Sequence, residues 1–208
     1  MNTAAIIGGG VIGSGWAARF LLQGWDVDFY DPNTESITVL QDVIQRARQS
    51  MSEVYDALPT EGELRICDSL ANAVMNADWI QESTPERLSV KQSVLAEIQQ
   101  MCPTTAIVAS STSGFMPSEL QAQALRPEQI IVAHPYNPVY LLPLVECVAS
   151  PLVPTQRMDH AQSVLRSLGM KPIVLGAEVP AHVGDRLLEA LWREALWLVK
   201  DGVATTEQ

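Results

Sequence analysis

Three side chains in the second half of the chain carry groups that can move a proton beside a reacting carbon. Ser113 lies in Ser110-Ser111-Thr112-Ser113-Gly114, directly after the apolar run Ala106-Ile107-Val108-Ala109. His134 ends a second apolar run, Ile130-Ile131-Val132-Ala133, and leads into Pro135-Tyr136-Asn137-Pro138. Glu146 sits inside a third, between Leu144-Val145 and Cys147-Val148. Oxidising an alcohol by hydride transfer requires a base for the hydroxyl proton. Histidine suits that role because its ordinary pKa of about 6.5 is near working pH. A glutamate on an apolar strand is costly to ionise alone. Paired with a histidine that becomes positive, it orients the ring and stabilises the imidazolium. Ser113 can donate to the oxygen that gains alkoxide or carbonyl character. The competing reading is a structural histidine satisfied by a backbone carbonyl, with the glutamate turned outward at a sheet edge.

A cofactor motif at the other end of the chain favours catalysis. Ala4-Ala5-Ile6-Ile7 is a short apolar strand that breaks into Gly8-Gly9-Gly10-Val11-Ile12-Gly13. The segment Ser14 to Leu22 then reads as a helix, and Val27-Asp28-Phe29-Tyr30 as a second strand ending in Asp31. Gly8, Gly10 and Gly13 fit G-x-G-x-x-G in the strand–turn–helix context that gives it meaning. Gly8 permits the tight turn, Gly10 lets a pyrophosphate approach the backbone, and Gly13 lets the helix pack close to the strand. The free amides at the helix start, those of Val11 and Ile12 among them, face the phosphates. Asp31 can accept hydrogen bonds from an adenosine ribose and repels a 2′-phosphate, which favours NAD over NADP.

These sites require a sheet that brings strand ends together. After Asp31-Pro32, the spacing predicts a helix from Asn33 to about Asp56, with Asn33 or Thr34 as N-cap. Strands are expected at Leu64–Cys67, Asp78–Glu82, Thr105–Ser110, Gln129–Ala133, Leu144–Val148 and Lys171–Leu175. Helices are expected from Asp68 to near Asn76, from about Leu88 to Gln100, over Ser118–Ala124 and over Pro154–Leu168. The alternation predicts an α/β fold with a parallel sheet covered on both faces. In such a sheet Ser113 and His134 fall at strand ends facing the cofactor crevice.

Residues 1–178 are thus expected to form a Rossmann-type, doubly wound NAD-binding domain. Residues 179–208 are expected to begin a helical C-terminal domain. One long helix is predicted from Ala181 to Lys200, with Arg186, Glu189, Arg193 and Lys200 on a narrow polar stripe. Leu187, Leu188, Leu191, Trp192, Leu196 and Trp197 cover most of the rest, a surface that calls for partners on several sides.

The chain has 208 residues, and its 47% hydrophobic content supports a sizeable core. A net charge of −11 argues against non-specific binding to nucleic acid or an anionic membrane. No apolar run is long enough to span a bilayer. No basic leader or cleavage site precedes the first strand, so no signal peptide is expected. Cys67, Cys102 and Cys147 are an odd, widely spaced set without C-x-x-C. They predict neither a disulfide framework nor a metal site, and fit a reducing cytoplasm.

Gly8–Gly13, Ser110–Gly114, His134-x-x-Asn137-Pro138 and Leu144-Val145-Glu146 together resemble the 3-hydroxyacyl-CoA dehydrogenase superfamily. The spacing of Ser113, His134 and Glu146 is similar as well, and the resemblance covers the whole chain. It implies that the histidine is the base, the glutamate its partner, and that the serine binds the substrate oxygen. It also implies that Glu86 and Lys91 lie near the cofactor; a solvated helix start is the alternative for both. Longer segments, such as Ala133–Pro143 and Val183–Ala195, are similar to the family's bacterial carnitine-oxidising branch. That resemblance implies oxidation of the 3-hydroxyl of L-carnitine to 3-dehydrocarnitine. Where acyl-CoA enzymes usually carry Asn, this chain has Asp185. A trimethylammonium cation is well served by aromatic faces and a carboxylate, so Tyr136, Tyr140, Asp185 and Trp192 are candidates for it, with Asn137 beside them in the His134 motif. The family also implies a homodimer built by a second, helical domain, of which this chain would hold the first helix. In that case the 208-residue chain binds NAD better than it turns over substrate. Two other functions stay open: a dehydrogenase of 3-hydroxyacyl-CoA or another short 3-hydroxy acid, and a non-enzymatic NAD-binding module acting through its exposed C-terminal helix.

Overall fold

A computed structural model describes residues 2–208. Eight strands form one sheet: β1 (Thr3–Ile7), β2 (Asp26–Tyr30), β3 (Leu64–Ile66), β4 (Trp79–Glu82), β5 (Ile107–Ser110), β6 (Ile130–Pro135), β7 (Leu144–Val148) and β8 (Lys171–Val174). Their spatial order is β3-β2-β1-β4-β5-β6-β7-β8. The first six run parallel in the order 3-2-1-4-5-6, which reverses between β1 and β4. That reversal opens a crevice at the carboxyl ends of the two strands, where dinucleotides bind in such folds.

The period-two side-chain alternation of β1 separates the two cores. Ala4 and Ile6 face α1 (Val11–Leu22), α2 (Ser36–Val54) and α6 (Thr155–Ser167), where they join Trp16, Phe20, Leu40 and Leu165. Ala5 and Ile7 face α3 (Leu70–Val74) and α4 (Leu88–Met101), where they join Val74, Leu95 and Ile98. Burial on both faces explains why the strands read as continuous apolar runs. The buried Arg19 of α1 donates from Nε to the Val139 carbonyl (3.4 Å) and from Nη1 to the Tyr55 hydroxyl (2.8 Å). Helix α1 is thereby tied to the segment that follows His134.

Several boundaries differ from the sequence expectation. Helix α2 starts at Ser36 rather than Asn33, because Asp31 and Asn33 form successive side-chain turns. Asp31 Oδ1 accepts from the Asn33 amide (2.7 Å), and Asn33 Oδ1 from the Glu35 amide (3.1 Å). Helix α3 stops at Val74, and α5 is confined to Pro117–Leu120, with Gln121–Gln123 continuing as a 3-10 turn. His134 is inside β6 rather than beyond it, and β7 runs antiparallel to β6. The short Tyr136–Pro143 connection holds no helix, and a parallel return would need a longer crossover. Helix α7 (Gly184–Lys200) begins three residues later than the pattern suggests, because Ala181 and His182 take left-handed φ angles of 61° and 48°. No residue of α7 is buried, and Leu191 is 70% exposed.

Candidate active site

The cofactor side is built at the β1–α1 turn. Gly8 has a φ of 101°, a region costly to residues with a side chain, and its amide donates to the Tyr30 carbonyl (3.0 Å). A Cβ on Gly8 would lie 2.5 Å from the Ser83 carbonyl oxygen, and one on Gly13 only 1.8 Å from the Gly8 oxygen. Their bareness allows β1, the β4 loop and α1 to close together. A Cβ on Gly10 would meet nothing within 4 Å, so that side of the turn is an open cradle at the start of α1. The cradle and the amides of Val11 and Ile12, which open α1 and so have no intrahelical acceptor, suit a pyrophosphate. Asp31 Oδ2 accepts from the Gly9 amide (2.6 Å), so the carboxylate at the end of β2 also holds the glycine turn. Next to it opens a cleft of about 500 Å³ lined by Gly8, Tyr30, Asp31, Leu70, Val90 and Val94. Its apolar walls suit an adenine ring. Leu70, Val90 and Val94 carried no signal of this in the sequence, where they are ordinary core-spaced residues.

Lys91 and Glu86 link this crevice to Ser113. Lys91 is not on a solvated helix start: it is buried, with Nζ 3.0 and 3.2 Å from the Glu82 oxygens, 3.1 Å from the Thr84 carbonyl and 3.3 Å from Glu86 Oε2. Glu86 Oε1 accepts from the Ser113 and Gly114 amides, each at 3.1 Å, and from the Thr112 hydroxyl. Burial pushes the Glu86 carboxyl up, but the Thr112 hydroxyl, the Lys91 charge and the Gly114 amide outweigh it and leave its pKa lowered. A second cleft, about 210 Å³, is lined by Ile12, Thr84, Glu86, Lys91, Ser111 and Ser113. Glu82, fully buried, is not singled out by the sequence: β4 reads Trp79-Ile80-Gln81-Glu82, half polar, and gives no sign that its acid is buried against Lys91 and Ser110.

The three candidate catalytic residues meet. Ser113 Oγ lies 3.1 Å from His134 Nε2, and His134 Nδ1 lies 2.9 Å from Glu146 Oε2. His134 and Glu146 are register partners across β6 and β7, so both side chains leave the same face of the sheet. Glu146 Oε1 accepts from the Val183 and Gly184 amides (2.9 and 3.0 Å), and Oε2 also accepts from the Tyr136 hydroxyl (3.3 Å). Burial raises the Glu146 carboxyl, but the bonds from His134 and from the Gly184 and Val183 amides bring its pKa below the ordinary value. Burial and the Glu146 charge push the Tyr136 phenol up. An ionised Glu146 accepts the proton on His134 Nδ1. That leaves Nε2 as a lone pair beside Ser113, able to take a proton.

The other candidates are scattered. Asn137 is exposed, and Tyr140 is half-buried against the α1-side core; among the described residues neither is hydrogen-bonded to the relay. Asp185 and Trp192 share a groove on α7 with Leu188 and Glu189. His182 was missed entirely. It is fully buried, its Nε2 lies 3.0 Å from the Thr112 carbonyl, and its ring centre is 5.3 Å from that of His134. A lone histidine between Ala181 and Val183 gives no periodic or motif signal. Among the described residues no helix is long and apolar enough to cross a membrane, and no group of three or more His, Cys, Asp or Glu could hold a metal ion.

The description "3-hydroxyacyl-CoA dehydrogenase, NAD binding domain" matches residues 3–179. The L-carnitine dehydrogenase/betainyl-CoA thioesterase of Ruegeria pomeroyi is 56% identical, over 100% of this chain and 43% of that protein. The L-carnitine dehydrogenase of Mesorhizobium japonicum is 51% identical, over 100% of this chain and 58% of that protein. The chain therefore spans about half the length of these curated relatives. Among solved structures, FHMPC 5-dehydrogenase, an NAD+-dependent dismutase, superposes with a TM-score of 0.93 at 34% identity, over 100% of this chain and 68% of that one. With a match that runs through both the glycine turn and the relay, the chain belongs to the 3-hydroxyacyl-CoA dehydrogenase family, whose NAD-binding domain it carries.

Proposed function

We propose that this chain provides the cofactor site and the base of an NAD-dependent dehydrogenase that oxidises the 3-hydroxyl of L-carnitine to 3-dehydrocarnitine. The observation that carries the chemistry is His134, held between Ser113 Oγ and Glu146 at hydrogen-bond distance on both ring nitrogens. The relatives named L-carnitine dehydrogenase support the substrate.

The α1 amides of Val11 and Ile12, over Gly8, Gly10 and Gly13, would hold the NAD pyrophosphate, and Asp31 the adenosine ribose. Glu86 and Lys91, which line the cleft with Ser113, would lie near the cofactor. Bound NAD supplies the hydride acceptor. His134 Nε2 takes the proton of the substrate hydroxyl. Ser113 Oγ donates to that oxygen as its carbon becomes a carbonyl. Glu146 stays ionised, holds the ring through Nδ1 and stabilises the imidazolium that forms. Asp185 and Trp192, which share one groove, are assigned to the trimethylammonium group, since a carboxylate and an indole face both favour a cation. Asn137 and Tyr140 are weaker substrate candidates. The exposed apolar side of α7 is assigned to a homodimer contact.

The test is NADH formation from NAD with L-carnitine, D-carnitine and 3-hydroxybutyryl-CoA in parallel, on this chain and on the chain continued at its C-terminus. L-Carnitine is expected to be oxidised fastest. Faster oxidation of 3-hydroxybutyryl-CoA would reassign the substrate to the acyl-CoA class, and NADH binding with no oxidation of any of the three would favour a binding module.

A further inference from the structure

We infer that residues 181–184 act as a clip that grips both ends of the Ser113–His134–Glu146 relay, and that His182 is a positioning residue for the reaction. The inference builds on the catalytic reading above.

Four hydrogen bonds define the clip. On the serine side, the Ala181 amide donates to the Gly114 carbonyl (3.1 Å), and His182 Nε2 lies 3.0 Å from the Thr112 carbonyl. The two gripped carbonyls flank Ser113. On the acid side, the Val183 and Gly184 amides donate to Glu146 Oε1. Four successive residues thus hold the serine turn and the glutamate at once, with His134 between them.

His182 is the member whose side chain does the gripping. A carbonyl only accepts, so the bond places the proton on Nε2. Nδ1 is then a bare acceptor, buried and without a partner among the described residues. Burial disfavours the charged ring and lowers its pKa, so the neutral, Nε2-protonated form persists beside a histidine that must itself become positive. The backbone carries a cost as well. Ala181 and His182 both lie in the left-handed region, which non-glycine residues adopt only when surrounding bonds hold them there. Nor is there slack on the acid side: a Cβ on Gly184 would lie 1.7 Å from the Tyr136 hydroxyl. The alignment of Ser113 and Glu146 is therefore coupled to where α7 begins.

A purely space-filling role for His182 makes a different forecast, and two variants separate the two. His182→Phe keeps an aromatic ring and removes the donor; His182→Gln restores an N–H donor. With NAD and L-carnitine, His182→Phe is expected to lower kcat by tenfold to about a hundredfold, with NADH affinity within roughly twofold of the parent. His182→Gln is expected to recover most of that loss. A second readout needs no substrate: imidazole nitrogen NMR of the chain without ligand. It is expected to show His182 neutral and protonated on Nε2 above its ordinary pKa of about 6.5, with His134 signals that shift in His182→Phe and return in His182→Gln. Parent-like kcat and His134 signals in His182→Phe, a Gln variant as impaired as the Phe variant, or a His182 proton on Nδ1 would each overturn the clip. If the parent continued at its C-terminus fails to oxidise L-carnitine, the substrate reading falls while the NMR arm still decides the clip.

Discussion

Glu146 stands directly opposite His134 in the antiparallel β6–β7 ladder, and the two side chains meet at 2.9 Å between Oε2 and Nδ1. In a pleated pair, opposed residues project to the same face, so the register alone sets the contact. A slip of one residue would turn Glu146 to the other face. The reversal of β7 is thus what gives His134 its carboxylate partner.

The relay is expected to fail at the chemical step and not at cofactor binding. His134→Ala should lower kcat by about two to four orders of magnitude, roughly 3–5 kcal/mol of barrier. Glu146→Gln should lower kcat too, because the amide cannot balance an imidazolium. Ser113→Ala should cost less than either. Steady-state kinetics with parallel NADH titrations check this; near-normal turnover in His134→Ala contradicts it.

How much of this was legible in the sequence depended on how local each signal was. The glycine turn, Asp31 and the strand–helix alternation are contiguous patterns whose physics acts within a few residues. Ser113, His134 and Glu146 were legible because each adjoins or interrupts an apolar strand. The antiparallel turn of β7 shows in no residue of the strand itself; its one signal is the short Tyr136–Pro143 connection, which leaves no room for a parallel crossover. His182 and Glu82 were hidden for a different reason. Their importance comes from partners such as Thr112, Ser110 and Lys91, and no spacing rule links those positions. Apolar patterning marked α7 as a helix in need of cover; the shift of its start to Gly184 came from two left-handed residues that no sequence pattern announces.

Asp31 is expected to set the dinucleotide preference. Its carboxylate ends β2 beside the 500 Å³ cleft, where a 2′-phosphate would meet like charge. Asp31→Ser should weaken NADH binding and narrow the gap to NADPH. Because Asp31 also holds the Gly9 amide, some loss of affinity for both dinucleotides should accompany the change. Fluorescence titration showing tighter NADPH than NADH binding in the parent would sink this assignment.

Gly10 and Gly13 should respond oppositely to alanine. A Cβ on Gly13 falls 1.8 Å from the Gly8 oxygen, so Gly13→Ala should destabilise the fold by about 1–3 kcal/mol through forced backbone movement. At Gly10 a Cβ meets nothing and φ is −69°, so Gly10→Ala should fold normally yet bind NADH more weakly. Denaturant midpoints and NADH titrations separate the two; unchanged NADH affinity in Gly10→Ala would remove the pyrophosphate from the cradle.

Acid should weaken the fold in two stages. Burial holds the His182 pKa below its ordinary 6.5, and Glu146 and Glu86 lie below their ordinary 4.5. For all three the unfolded chain binds more protons just below those values, so stability falls as pH drops. The His182 contribution is complete above pH 6.5 and is lost as pH falls through its lower folded value. The carboxylate contributions are complete above pH 4.5 and are lost below it. Denaturant midpoints across this range should show the first stage in the parent and not in His182→Phe; an equal first stage in both would assign it elsewhere.

Hydride and proton leave the same alcohol in this account, and an isotope follows one of them directly. L-Carnitine carrying deuterium on carbon 3 is incubated with NAD and the chain, and in parallel with the chain continued at its C-terminus; mass spectrometry then reads the dinucleotide. The expected result is one deuterium in the reduced nicotinamide together with 3-dehydrocarnitine, both reduced at least about a hundredfold in His134→Ala. Reduced nicotinamide without deuterium, or label transfer at the parent rate in His134→Ala, would contradict it.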